Sequence, residues 1–434
     1  MKRLSKIFYI FITTILLCSN IVFADIEDEE TLEVLELNKE IIEASSDLSK
    51  EPSINSRAAV IFDRNSKKAI YNKNMETKRP MASTTKIMTA IVVLENSNLN
   101  DIVKVSKKAA ATGGSSLKLK TNDELSVESL LYGLMMVSGN DAAVALAEYV
   151  GGSVEGFAEM MNSKALTIGL ENTHFITPHG LDEEGHYTTA YELAYLADYA
   201  LQNEKFAEIV GTKNYTAIIN NTPRLLSNTN ELLGNINGVY GVKTGFTNGA
   251  NRCLVSSTKR GDLDIICVVL GADTKKDRTR DSIKLIEYAF QNFEVFNIKE
   301  KVEEEFEIWK NINEKRIIIN KGVQKNPELR LEDLPYEKIA IKIGEKENIK
   351  IDIQNGYGFE APLEEKATIG QLKCYINETE QFEVHILNNE LIEKKNVLDY
   401  FVELLQRYNL SRELNWWKNI GATIGRPRSE GMLN

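Results

Sequence analysis

Histidine and cysteine are scarce: the 434-residue chain holds four of each. No His-x-x-x-His or Cys-x-x-Cys pairing joins them, so zinc and dithiol chemistry lack the ligand spacing they need. His174, His179 and His186 fall together within Thr173–Thr188, a stretch that reads as structural turns. No metal and no cofactor are expected. Eight prolines leave no Pro-rich linker. The formal charge of −11 is broken by no basic cluster, which excludes binding to nucleic-acid phosphates. Apolar runs long enough to cross a bilayer are also missing. The nearest, Ile7–Leu17, follows Lys2, Arg3 and Lys6 and precedes Val22-Phe23-Ala24, the anatomy of a secretory signal peptide over residues 1–24. Its removal takes Cys18 and leaves Cys253, Cys267 and Cys374, which is no disulfide framework.

What is present is an ordinary globular composition, 43% apolar and 26% charged, in a chain too long for one core. Two folded domains are expected. Residues 25–55 open on Asp25-Ile26-Glu27-Asp28-Glu29-Glu30, with a short stripe of Leu32, Leu35, Ile41 and Ile42, and read as a solvated acidic extension. From Ala58, strands over Ala58–Asp63 and Lys68–Tyr71 flank a polar turn, and Arg252–Thr258 and Leu263–Leu270 flank another. Between them lie helical patterns at Thr84–Glu95, Val127–Met136, Asp141–Tyr149, Val154–Leu166 and Tyr191–Gln202, with one more after them at Asp281–Phe293. The expected fold class over residues 56–293 is therefore α/β in the α+β sense, an antiparallel sheet from both ends of the segment with a helical insertion.

Beyond Phe293 the hydrophobic period changes from 3.6 to 2. Ile339/Ile341/Ile343 and Ile349/Ile351/Ile353 alternate around a turn, as do Leu372/Cys374/Ile376 and Phe382/Val384/Ile386. Residues 294–392 are expected to form a small all-β, sandwich-like domain of hairpins. In residues 393–434, Val397, Leu398, Phe401, Leu404, Leu405 and Tyr408 recur at helical spacing opposite Asp399, Glu403, Gln406 and Arg407, with Trp416 and Trp417 downstream. That pattern predicts an amphipathic helix, lying on a membrane surface or packed on the β-domain.

With so few histidines, a nucleophile must be activated another way. Ser-x-x-Lys occurs at Ser83, Ser115 and Ser256, and only Ser83 directly precedes a long apolar helix. There Ser83 and Lys86 share a face near the free N–H groups of the helix start. Lys86 is the only charge between Thr84 and Leu94, so burial should favour its neutral amine, a base for the Ser83 proton. The plain alternative is a capping serine and a lysine that snorkels to solvent. Ser138-Gly139-Asn140 sits at a turn between two helices, and Lys243-Thr244-Gly245 on a strand before the second hairpin.

Each motif alone is weak, but the three in this order form the motif set of penicillin-binding proteins and serine β-lactamases. The surrounding runs Pro80–Ala90, Gly113–Ser116, Ser138–Ala143 and Thr177–Asp182 extend the likeness. The chain resembles the serine D-alanyl-D-alanine carboxypeptidases, the low-molecular-weight penicillin-binding proteins, closely over residues 55–293. The resemblance implies the penicillin-binding/β-lactamase-like transpeptidase fold, with Ser83 as acylated nucleophile, Lys86 as its base and Ser138 as proton relay. It further implies that Asn140 holds the substrate amide, Lys243 and Thr244 meet the terminal carboxylate, and the backbone N–H groups of Ser83 and Phe246, next to Gly245, form the oxyanion hole. Arg278 is the candidate for a second carboxylate contact. The implied partners are peptidoglycan stem peptides ending in D-Ala-D-Ala, β-lactams as covalent inhibitors, and the outer face of the cytoplasmic membrane. Alternatives sharing the acylation site are a β-lactamase, for which Glu159 is the one tempting deacylation base, and a transpeptidase. A non-catalytic wall-binding protein is the alternative of another class.

Overall fold

The computed structural model describes residues 34–44 and 50–407. The signal-peptide reading, and Tyr408 with the tryptophans beyond it, lie outside them. Within them the chain divides into two units, one running through Val295 and taking in Ala340–Lys342, the other holding Phe296–Ile339 and everything from Ile343.

The first unit is built on strands β1 (Ala58–Asp63), β2 (Lys68–Lys73), β3 (Val239–Thr247), β4 (Asn251–Arg260) and β5 (Leu263–Ala272). They form one antiparallel sheet in the order β2-β1-β5-β4-β3, drawn from both ends of the segment. Because side chains alternate across a strand, each strand feeds two cores. Val60, Phe62, Val255, Val268 and Leu270 enter the larger one, beneath the helical insertion. Ala59, Ile61, Leu254, Val269 and Ile265 enter the other. The insertion supplies α1 (Lys86–Asn96), α2 (Val127–Met136), α3 (Asn140–Gly151), α4 (Val154–Thr167) and α5 (Ala190–Ala200). The second face is covered by α6 (Lys275–Asn292), through Ile283, Leu285, Ile286 and Tyr288.

Several expectations need correction. The acidic extension is not merely solvated: a helix over Val34–Ala44 places Val34 and Ile41, two turns apart, in the second core with Ile283 and Ile286. The adjacent Ile42 is exposed. Downstream, the Asn55 and Ser56 N–H groups donate to the Asp281 carboxylate at 3.1 and 2.7 Å. Cys253 and Cys267 look nearly opposite in sequence, but the register pairs Ser256 with Cys267 and the two thiols sit in different cores. Both are free and buried, as is Cys374.

The second unit is not all-β. Ile298–Asn313 is a helix that buries Ile298, Val302 and Phe306 at i, i+4 and i+8, so the change of period comes some twenty residues later than Phe293. Strands Leu329–Leu331, Thr379–Asn388, Thr368–Ile376 and Ile349–Asn355 form a four-stranded antiparallel sheet in that order. The Thr368–Asn388 hairpin follows its alternation. Ile349–Asn355 pairs with Thr368–Ile376 and not with Lys338–Lys342. The reason lies at Ala340: it is buried, and its N–H donates to Asp63 Oδ2 at 3.0 Å within the first unit. The last described helix, Val397–Arg407, leaves Leu398, Phe401 and Leu404 exposed. No described helix is long and apolar enough to cross a membrane.

Candidate active site

Ser83 stands in a 3-10 turn, Ala82–Thr85, that runs straight into α1. A three-residue spacing on this coil brings Lys86 back under Ser83, with Nζ 2.8 Å from Oγ. The lysine is fully buried and does not snorkel. Its Nζ also donates to Asn140 Oδ1 at 2.7 Å and to the His179 carbonyl at 2.8 Å. Burial, reinforced by repulsion from Lys243 and opposed by Asp141, holds the ammonium well below the usual lysine range.

Ser138 occupies the bend between α2 and α3 at φ +60°, a left-handed conformation unfavourable for serine. Its Oγ is buried and, among the described residues, has no hydrogen-bond partner. Buried hydroxyls without partners and left-handed non-glycine turns are features that cluster at functional sites. Asn140 is held at both ends: Oδ1 accepts from Lys86, and Nδ2 donates to the Gly113 carbonyl at 2.7 Å. Next to it the buried Asp141 carboxylate accepts from Leu117 N, Leu119 N and Ser116 Oγ at 2.7–3.0 Å, fixing the Gly113–Leu119 loop over the site.

The third wall is β3. Lys243 is buried, with Nζ donating to the Thr244 carbonyl at 3.1 Å, and Thr244 Oγ1 lies 3.0 Å from Thr229 Oγ1. At Gly245 a Cβ would come within 3.2 Å of Ser83 N, Ala82 Cβ and Met81 O. The strand therefore lies directly against the Ser83 turn, closer than a side chain comfortably allows. Phe246 is half-exposed, with the Arg252 guanidinium 3.8 Å over its ring.

Arg278 is buried and ion-paired with Glu231, which also accepts from Thr279 Oγ1 at 2.6 Å. Burial pushes the Glu231 carboxyl up, but Arg278 and Thr279 outweigh it and leave the group below its ordinary value. Glu159 lines a groove with Glu95 and Asn96, at the end of α1 opposite Lys86. No group of three metal-ligating side chains occurs among the described residues.

Sequence reasoning missed the Thr173–Tyr187 segment as part of the site. Its His179 carbonyl binds Lys86, its Pro178 carbonyl accepts from Thr89 Oγ1 at 2.6 Å, and Asp182 accepts from Thr247 Oγ1 and Gly249 N at 2.6 and 2.9 Å. The segment thus ties α1 to the end of β3. Backbone carbonyls carry no signal in a residue pattern, so only the Asp182 contacts could have been suspected.

The fold agrees with comparison to known proteins. A family model described as D-alanyl-D-alanine carboxypeptidase matches residues 45–274. The chain belongs to that family. The carboxypeptidase DacF of Bacillus subtilis is 35% identical over 322 residues, 73% of this chain and 80% of the relative. Penicillin-binding protein 5 from Haemophilus influenzae superposes with a TM-score of 0.67 at 28% identity, covering 80% of this chain and 99% of the other. The Streptomyces K15 DD-transpeptidase superposes with a TM-score of 0.54 at 35% identity, covering 56% and 99%. Membership makes this carboxypeptidase a serine peptidase of peptidoglycan metabolism and a penicillin binder.

Proposed function

We propose that the enzyme removes the terminal D-alanine of stem pentapeptides through an acyl-enzyme on Ser83. The observation that carries this reading is the set of partners around Lys86 Nζ. Two of the three, Asn140 Oδ1 and the His179 carbonyl, can only accept. A neutral amine has two N–H groups for those two oxygens, which leaves its lone pair for the Ser83 hydroxyl proton. Ser83 Oγ then attacks the carbonyl of the penultimate D-alanine as Lys86 takes the proton. The oxyanion is held by the N–H groups of Ser83 and Phe246, a pairing supported by the close approach of Gly245 to Ser83 N. Collapse breaks the peptide bond, and the leaving amine receives a proton passed from Lys86 through Ser138. Water, deprotonated by the same lysine, hydrolyses the ester.

In this reading Asn140 orients Lys86 as well as facing the substrate amide. Lys243 and Thr244 receive the terminal carboxylate, a role supported by a buried ammonium beside the nucleophile. Arg278, ion-paired with Glu231 through one end of its guanidinium, keeps a buried Nε without a partner among the described residues and remains the candidate for a second carboxylate contact. The enzyme is exported by its first 24 residues and rests on the outer face of the cytoplasmic membrane through the Val397–Arg407 helix and the residues C-terminal to it. The likeness to a DD-transpeptidase supports a second reaction at the same ester, with an amine in place of water; adding an amino-acid acceptor and looking for a new peptide product decides it.

Fluorescent penicillin and a stem pentapeptide test the assignment. Ser83→Ala should abolish both covalent labelling and D-alanine release. Lys86→Ala should lose on the order of a thousandfold or more, and the double variant no more than the singles, since the two act as a unit. Labelling that persists in Ser83→Ala overturns the reading.

A further inference from the structure

The residue before the nucleophile, Ala82, has φ +49°, left-handed and unfavourable for a residue with a Cβ. Such a conformation persists only where the surroundings over-determine it. The Ala82 carbonyl accepts from Thr85 Oγ1 at 2.8 Å, and Thr85 Oγ1 lies 2.8 Å from His186 Nε2. On the other side of the imidazole, Nδ1 accepts from the Ile176 N–H at 2.9 Å, with the Thr177 N–H at 3.4 Å. Two backbone donors aimed at Nδ1 place the ring proton on Nε2, so His186 donates to Thr85 and Thr85 donates to Ala82. Burial, with His174 adding repulsion and Asp182 opposing it, keeps the ring neutral, its pKa lowered to about 4. A second clamp meets the same carbonyl: a Cβ at Gly180, itself at φ +83°, would stand 1.9 Å from Ala82 O.

We propose that His186 and Thr85 are positioning residues for the nucleophile: the chain Ile176 N–H to His186 to Thr85 to the Ala82 carbonyl holds the left-handed turn that aims Ser83 Oγ at Lys86 and its N–H into the oxyanion hole. The inference rests on the reading of Ser83 as the acylated residue. Neither side chain reaches the reacting atoms. Thr85 faces away from Lys86 into the Thr177–His186 loop, and His186 touches the edge of Phe175 at a ring-centroid distance of 5.9 Å. Ala82, Thr85 and His186 are all buried, so losing one of the two side chains leaves its neighbour unsatisfied and releases the turn.

The test is pre-steady-state labelling of the full chain with fluorescent penicillin, recording amplitude and rate separately. Amplitude counts folded, competent molecules, and the acylation rate reports the geometry of the turn. Thr85→Val, which keeps shape but loses both bonds, should slow acylation about tenfold or more at near-full amplitude, the loss expected when a catalytic group is misplaced. Thr85→Ser should restore the rate to within a few-fold. His186→Gln, which can still donate to Thr85, should fall between them, and His186→Ala should match Thr85→Val. A Thr85→Val protein that acylates at the unmodified rate overturns the proposal. So does a series in which only the amplitude falls, because that is the signature of a purely structural role. If the unmodified chain takes no label at all, the reading of Ser83 fails and the inference falls with it.

Discussion

At the scale of single residues, Lys86 is decided by its surroundings. Burial without solvent is what lowers its ammonium most, and Lys243 nearby adds like charge. The base is needed neutral and its folded-state pKa is depressed, so acylation should rise with pH and be lost as pH falls through that depressed value. Stopped-flow acylation across pH should show a limb well below the ordinary lysine pKa of about 10.4. Lys243→Met removes the repulsion, so it should move the limb upward; a limb that stays in place would mean that burial alone sets it. Lys243 also binds substrate in the proposed mechanism, so the limb is read from its position and not from the absolute rate.

At the scale of elements, the sheet is locked by a cluster of charges around Arg64. Arg64, in the β1–β2 turn, donates to Asp198 of α5 at 2.8 Å, to Tyr240 of β3 at 2.7 Å and to Asp264 of β5 at 3.0 Å. Lys67 reaches the other Asp198 oxygen at 2.5 Å. Burial would lower the guanidinium pKa, but Tyr240, Asp198 and Asp264 outweigh it and hold the charge. Asp198→Ala would leave two cations around an empty site, and a loss of about 3 kcal/mol is expected from breaking a buried pair. Denaturant unfolding measures it, while penicillin acylation per folded molecule should stay within a few-fold. The free cysteines make a parallel case. Burial raises Cys253 to about 11 and pushes Cys267 further up, so neither offers a thiolate. Alkylation under native conditions should leave Cys253, Cys267 and Cys374 unmodified, and denaturation without reductant should expose all three; a residue blocked after denaturation would reveal a disulfide.

At the scale of the whole molecule, the Val397–Arg407 helix has an apolar stripe left uncovered, with Leu398 at 68% and Phe401 at 51% exposure. Lys395 N donates to the Lys321 carbonyl at 2.7 Å, so the second unit is closed before the helix begins. A chain ending at Lys395 should therefore fold and turn over soluble pentapeptide at the unmodified rate, yet no longer sediment with anionic liposomes. Unfolding, or lost activity on soluble substrate, would make the helix structural.

Much of the fold is written in the period of the sequence. Val127–Met136 and the Asn251–Ala272 hairpin stand where their patterns put them, because a helix or hairpin is a local decision of spacing and turn chemistry. The elements misjudged are those whose partners are distant in sequence. Ile41 reads as an acidic surface until Ile283 and Ile286 are beside it, and Ile339–Ile343 reads as half of a hairpin until Asp63 takes the Ala340 N–H. The site divides in the same way. Ser83, Lys86, Ser138 and Lys243 are the candidates legible in the sequence, because the chemistry proposed for them lies in side chains at motif spacing. The His179 carbonyl, the Glu231 partner of Arg278 and the His186–Thr85–Ala82 chain are not, since a backbone oxygen has no residue code and an ion pair needs both ends in place. The sequence determines which groups can react; packing around Lys86 determines that its pKa is lowered and that its Nζ stands 2.8 Å from Ser83 Oγ, because burial and orientation belong only to the folded chain.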